Sequence, residues 1–192
     1  MIQTLPITEE QIADLPDIRN ILGWLTFTEA VALQMCVHTV SGIPGDIVEI
    51  GSYCGKSAVV IGDMLRQGCS GTLYCIDPHV DNVKHFGVDS YAQLLENIEG
   101  FKLSEFITVM KAYSYETNWQ TDIKMLFIDG NHDFASVQQD LQLFEGCIVK
   151  CGVVCFHDCY EEGPQKVVEE LVNTKLFQKL IVADSLTVLK KL

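Results

Sequence analysis

An alternation of short apolar runs with helix-length amphipathic segments begins near residue 46 and continues to residue 192, and it restricts the possible folds more than any other feature. Strands separated by helices cannot pair as tight hairpins; they lie parallel, with crossover helices covering the faces of the sheet. Asp46–Ile50 reads as a first strand closed by Gly51, and residues 56–67 as the following helix, stopped by Gly68. Thr72–Asp77 gives a second strand ended by Pro78, Tyr91–Ile98 lies in the next helix, Phe106–Met110 is a third strand, and Met125–Asp129 is the core of a fourth. Phe134, Val137, Leu141 and Phe144 then recur at spacings of three and four, behind Asp133 as an N-cap. Val153–Phe156 is a fifth strand, and a helix with an early Pro164 follows, its apolar side formed by Val167, Val168, Leu171 and Val172. Leu180–Ala183 and Leu186–Leu189, joined at Asp184 and Ser185, read as a terminal antiparallel hairpin. The expected fold is therefore a doubly wound α/β domain with a seven-stranded sheet over residues 45–192. Ahead of it, residues 8–40 carry two helical stretches, the second being Thr28–Val40. These form an N-terminal helical cap over residues 1–44, acting as a lid or simply covering one face of the core.

The 192 residues are enough for one substantial core and too few for two ordinary domains. Thirteen Lys and Arg against twenty-six Asp and Glu leave a formal charge of −13, which repels phosphate backbones and anionic lipid, so nucleic acid and membrane are poor partners. The longest apolar runs are strand-length, and the N-terminal residues carry acids where a secretory signal carries Lys or Arg. A cytoplasmic location is expected, and with it reduced core thiols for the eight cysteines. Cys147, Cys151, Cys155 and Cys159 are evenly spaced but straddle a helix end, a glycine and a strand, so no single face collects them.

In open parallel sheets ligands bind beyond the carboxyl ends of the strands, beside the turn after the first strand. Here that turn is Glu49-Ile50-Gly51-Ser52-Tyr53-Cys54-Gly55-Lys56-Ser57. A nucleoside-triphosphate loop needs four residues between its first glycine and Gly-Lys-Ser, and Gly51 and Gly55 enclose three. A dinucleotide fingerprint fails because its second glycine position holds Tyr53. The carboxylate of Glu49 repels a pyrophosphate but suits a cofactor with ammonium and sulfonium groups, which points to S-adenosylmethionine.

The turn resembles the first motif of the class I S-adenosylmethionine-dependent methyltransferases, E/D-x-G-x-x-x-G, in the form EIGSYCGKS. The resemblance continues through LYCIDP, IDGNHDFASVQQDL and GVVCFHD and spans about residues 45–190. The last two segments are similar to a subgroup of small-molecule O-methyltransferases related to the macrocin and other sugar O-methyltransferases. The resemblance implies a Rossmann-like class I methyltransferase fold and methyl transfer to a small-molecule acceptor, at a hydroxyl oxygen, with a homodimer left open. It implies cofactor contacts from Glu49, Gly51, Ser52, Tyr53, Gly55 and Ser57 of the turn, from Asp77 to the ribose hydroxyls, and from Asp129. The loop after the third strand, Ala112, Tyr113 and Ser114, cradles adenine in the family, although the acidic adenine contact common elsewhere is absent from it. A fold-sharing protein that binds a nucleoside without turnover, or a P-loop-like nucleotide binder, is the alternative.

Asp129 ends the fourth strand, and His157 and Asp158 end the fifth. If the two strands are neighbours, about 4.8 Å apart, these side chains converge beside the cofactor turn. In the family, acids at these strand ends hold a divalent metal, so Asp129, His157 and Asp158 are expected to bind magnesium or manganese. The catechol O-methyltransferases offer Asp then Asn where this chain has His157 then Asp158. His132, with a side-chain pKa ordinarily near neutrality, is a candidate general base, as is His157. The plainer alternative makes Asp133 and Asp158 helix caps and His157 a loop hydrogen-bonding group. His79 and His85 follow the second strand and can reach the mouth of the pocket. Two further patterns are incomplete: a metallophosphatase fragment at Gly130–Asp133 lacks its companions, and Cys155, His157 and Cys159 lack the close cysteine pairs of a structural zinc site.

Overall fold

The computed structural model describes residues 15–80 and 82–192. Its elements in chain order are α1 (Phe27–Val40), β1 (Asp46–Ile50), α2 (Lys56–Arg66), β2 (Leu73–Ile76), α3 (Asn82–Phe86), α4 (Ser90–Gly100), β3 (Ile107–Met110), β4 (Ile123–Ile128), α5 (Phe134–Phe144), β5 (Ile148–Phe156), α6 (Glu162–Asn173), β6 (Phe177–Ala183) and β7 (Leu186–Lys191). The strands form one seven-stranded sheet in the order β3-β2-β1-β4-β5-β7-β6. The first five run parallel, with Glu49 opposite Cys75 and Phe127, and Phe127 opposite Cys155. β7 is antiparallel to β5 and to β6, which closes the sheet with the expected hairpin. The strand order reverses beside β1, where β2 and β4 leave on opposite sides, and this places a crevice at the carboxyl ends of β1 and β4.

Strand parity divides the core in two. Ile47, Met125, Phe127, Val153 and Cys155 face α1, α2 and α4. Val48, Ile50, Leu126, Ile128, Val154 and Phe156 face α5 and α6. Asp133 caps α5 as expected, accepting from the Ser136 N–H at 3.0 Å. β5 starts five residues earlier than its apolar core suggests, and Gly152, where a Cβ would lie 3.0 Å from the Lys124 carbonyl, falls at the register shift between β4 and β5.

α1 begins one residue before the expected Thr28, where Thr26 and Glu29 form a reciprocal capping box. The other helical stretch expected before it falls partly on residues 1–14, outside the described residues, and residues 15–26 follow turns rather than a helix. Among the described residues no helix is long and apolar enough to cross a membrane.

Candidate active site

The glycine turn after β1 leaves the sheet because Gly51 takes a φ of +90°, and a Cβ there would lie 2.2 Å from the Asp129 carbonyl oxygen. Only a residue without a side chain lets β1 and β4 release their ends this close together. Tyr53, His79 and Asp158, all at the same edge, hold left-handed φ values of 45°, 53° and 51°. Such conformations cost about 1–3 kcal/mol each in non-glycine residues and gather at functional sites.

Two of the cavities at this edge meet at the glycine turn. The larger, of 720 Å3, runs from Gly51 and Tyr53 past Asp77 to Tyr113, Ser114, Tyr115 and Asp140. The smaller, of 420 Å3, lies between the turn and the end of β5 and is bounded by His132, His157, Asp158, Tyr160 and Glu161. Trp24, Gly51, Tyr53, Asp129 and Gly130 line both, so they form a common wall. Both volumes lie in the range of small-molecule sites. Trp24, Tyr53 and Phe86 pack their rings 5.3–5.7 Å apart at the rim, and Trp24 remains 66% exposed. Among the described residues no Lys or Arg lines either cavity.

The residues expected to touch a cofactor divide between the cavity wall and the interior. Gly51, Tyr53, Asp77, Tyr113, Ser114 and Asp129 line the larger cavity. Asp77 is held by two backbone donors, the Tyr53 N–H on Oδ2 at 2.9 Å and the His79 N–H on Oδ1 at 2.7 Å. Glu49, Ser52, Gly55, Ser57 and Ala112 do not line it. The parity of β1 sends the Glu49 side chain beneath α2, where the carboxylate accepts from Ser57 Oγ and, at 3.2 Å, from Cys75 Sγ. Burial pushes its pKa up to about 7, against the opposing pull of those two donors. Glu49 therefore braces the turn from below instead of facing an ammonium group. Lys56, which a phosphate-gripping loop would aim at its ligand, donates to the Gly23 carbonyl at 3.1 Å.

The carboxylate and histidine cluster also differs from the sequence expectation. His157 shares the parity of Cys155 and points toward α1, so Nε2 lies 3.0 Å from Glu29 Oε2 while Nδ1 lies 3.0 Å from Asp129 Oδ1. Burial alone lowers an imidazole pKa, but these two carboxylates raise that of His157 to about 11. Burial likewise raises Glu29, yet His157, Ser185 and the Thr26 N–H bring it down to about 2. His157 Nδ1 also lies 3.3 Å from Asp158 Oδ2, so Asp129, His157 and Asp158 do converge at the strand ends, with the His157 ring bridging this group to Glu29.

His132 joins the same group of side chains. Asp129, His132 and Asp158 each present a ligand atom, all within 4.8 Å of one another, with His132 Nε2 3.2 Å from Asp158 Oδ2. Glu161 Oε1 stands 3.0 Å from the other His132 nitrogen, Nδ1. Asp158 is not a helix cap; α6 starts from Glu161. His79 is turned inward, Nδ1 lying 2.8 Å from Ser90 Oγ, whereas His85 does line the larger cavity.

Sequence reasoning missed Glu29 and Asp140, both buried acids. Each interrupts an apolar helical stripe, Glu29 in register with Leu33 and Cys36, and Asp140 between Val137 and Phe144. An acid at such a position signals a partner across the interface. Trp24, Tyr115, Tyr160 and Glu161 carry no comparable pattern.

A parallel sheet closed by a terminal antiparallel hairpin, with a glycine turn and acids at the ends of β2, β4 and β5, defines the class I methyltransferase fold. Residues 48–159 match the family described as a methyltransferase domain, and the chain belongs to that family. Solved structures share the fold at low identity. The SAH-bound methyltransferase PaMTH1 from Podospora anserina superimposes with a TM-score of 0.68 at 13% identity, covering 100% of both chains. The O-methyltransferase TomG from Streptomyces achromogenes, involved in tomaymycin synthesis and solved with SAM, gives 0.64 at 11% identity, covering 98% of this chain and 92% of that one. CalS11, a TDP-rhamnose 3'-O-methyltransferase of calicheamicin biosynthesis, gives 0.69 at 16% identity, covering 97% and 88%.

Proposed function

We propose that the chain transfers the methyl group of S-adenosylmethionine to a hydroxyl oxygen of a small acceptor that carries no anionic group. The observation that carries this reading is the wall common to the two cavities. It lets a cofactor in the larger cavity and an acceptor in the smaller one meet at Gly51, Tyr53 and Asp129.

The residues fit both groups. Asp77, preset by two backbone donors, keeps oxygen lone pairs for a ribose diol, and the Gly51 backbone allows close approach of the methionine end. The sulfonium supplies an electrophilic methyl group, and the protein's task is to place one oxygen in line with it. Asp129, His132 and Asp158 offer two oxygens and one nitrogen, a donor set that accepts magnesium and, because of the imidazole, favours manganese, iron or zinc. A divalent ion held by Asp129, His132 and Asp158 would supply Lewis-acid activation of the acceptor hydroxyl. Glu161 on Nδ1 sets the His132 tautomer with the Nε2 lone pair toward the cluster.

The acceptor class follows from charge. Carboxylates line the smaller cavity, no Lys or Arg lines it, and residues 1–14, 81 and 82 contain neither. A phosphate or carboxylate on the acceptor would meet repulsion there. The exposed rings of Trp24 and Phe86 suit an apolar or ring-shaped body. The test is methyl transfer from labelled S-adenosylmethionine, with manganese present, to hydroxylated rings and sugars paired with their phosphorylated counterparts. Methyl ethers should form on uncharged members. Methylation confined to phosphorylated members would overturn the acceptor assignment.

A further inference from the structure

We propose that the acceptor carries an ammonium group, and that Glu161 and the rings of Tyr160 and Trp24 hold it at the outer end of the smaller cavity. The inference rests on the reading above, that this cavity takes the acceptor.

The wall of this cavity combines open aromatic faces with carboxylates. Tyr160 is 72% exposed and Phe86 52%, and together with Trp24 they line it. Apolar faces gathered at the mouth of a cavity mark a binding surface. An aromatic face is also negative and attracts a cation placed over it. The chain makes such contacts itself elsewhere, with Lys111 Nζ 4.5 Å from the centre of the Tyr91 ring and Lys166 Nζ 4.1 Å from that of Phe134. Among the described residues neither Lys nor Arg stands over the three rings at this cavity. Lys56, the cation of the glycine turn, is committed to the Gly23 carbonyl and does not line it.

The acids of the cavity fall into two groups. Asp129 and Asp158 lie 3.0 and 3.3 Å from His157 Nδ1 and, with His132, form the cluster able to hold a divalent ion, so their charge is answered there. Glu161 stands apart, on the far side of the His132 ring: Oε1 lies 3.0 Å from Nδ1, while Nε2 faces Asp158 Oδ2 at 3.2 Å. The Glu161 side chain is 41% exposed and follows Tyr160 directly in the chain. In the tautomer that Glu161 sets, His132 carries no charge, and the Glu161 carboxylate is left without an opposite one. A small molecule with its hydroxyl at the common wall places its other end between this carboxylate and the exposed rings. An exposed carboxylate alone holds a cation weakly. A carboxylate flanked by aromatic faces complements an ammonium group in both charge and shape.

Calorimetry on the full chain, with S-adenosylhomocysteine and manganese present, compares 3-hydroxybenzylamine with its isostere 3-ethylphenol at neutral pH. The two differ by an ammonium in place of a methyl group, and transfer out of water alone favours 3-ethylphenol. The wild type should instead bind the amine at least about tenfold more tightly. Glu161→Gln removes the charge and keeps the shape, and Tyr160→Leu removes a ring from an exposed position; each should lower the ratio about threefold. Equal binding of the two compounds by the wild type, or tighter binding of 3-ethylphenol, needs no variant to fold; it overturns this inference and leaves the proposed methyl transfer intact. A ratio unchanged in either folded variant also overturns it. Binding of neither compound by the wild type overturns the reading of the smaller cavity as the acceptor site and this inference with it.

Discussion

Replacing Glu49 by glutamine should stabilise the protein, by an amount that grows with pH. The Glu49 carboxyl is fully buried, and its pKa is raised from an ordinary 4.5 to about 7. A raised folded-state pKa means the neutral carboxyl is the form the fold prefers. Below pH 4.5 the group is neutral folded and unfolded alike and makes no pH-dependent difference. As pH rises through the window from 4.5 to about 7, the unfolded chain ionises first and native stability is lost. Linkage across that window gives a cost of about 1 kcal/mol at about pH 5 and about 3 kcal/mol at about pH 8. Glutamine presents the same shape and an oxygen for Ser57 Oγ, and it cannot ionise. Urea denaturation of both proteins at the two pH values reads the difference directly. The variant should gain about 2 kcal/mol more over the wild type at the higher pH than at the lower. A gain that is equal at both would falsify the account of Glu49 as a buried brace, because an ionised, solvated carboxylate facing the cavity would behave in that way.

Asp77→Ala removes a charge-assisted contact worth about 1.5–3 kcal/mol, so calorimetry should show S-adenosylhomocysteine binding about 10- to 150-fold more weakly; a change within about twofold would contradict the ribose assignment. Glu29→Ala takes a partner from a buried imidazolium and frees the Ser185 and Thr26 donors, and thermal or chemical denaturation should report a loss of about 3–5 kcal/mol. Chelation should abolish methyl transfer and manganese restore it in the wild type. In His132→Ala manganese binding, followed by electron paramagnetic resonance, should be lost while S-adenosylhomocysteine still binds. Retained manganese binding in that variant would return the site to other ligands.

The backbone plan was legible because local signals agreed with the global fold. Gly51, Asp133 and the stripe of Val137, Leu141 and Phe144 each mark an element boundary or face through their own chemistry, and the structure uses them so. The side chains at the strand ends were less legible, since their direction depends on parity and on what covers each face. Glu49 and His157 both stand on the face covered by α1 and α2, so one became a buried brace and the other is held between Asp129 and Glu29. Glu29 lies 128 residues from His157 in the chain, and no spacing rule brings them together. Asp158 reaches the cluster through a left-handed turn that its residue type does not announce. Lys56, in a Gly-Lys-Ser that misses the phosphate-loop spacing by one residue, tethers Gly23, a contact visible only once the segment before α1 is folded back over the turn.

A crystal grown with S-adenosylhomocysteine and manganese, measured at a wavelength where manganese scatters anomalously, tests the central claim most directly. The account predicts the nucleoside in the larger cavity with its ribose on Asp77, and one anomalous peak among Asp129, His132 and Asp158 at the wall the two cavities share. A nucleoside bound elsewhere, or a manganese peak away from these three side chains, would contradict it.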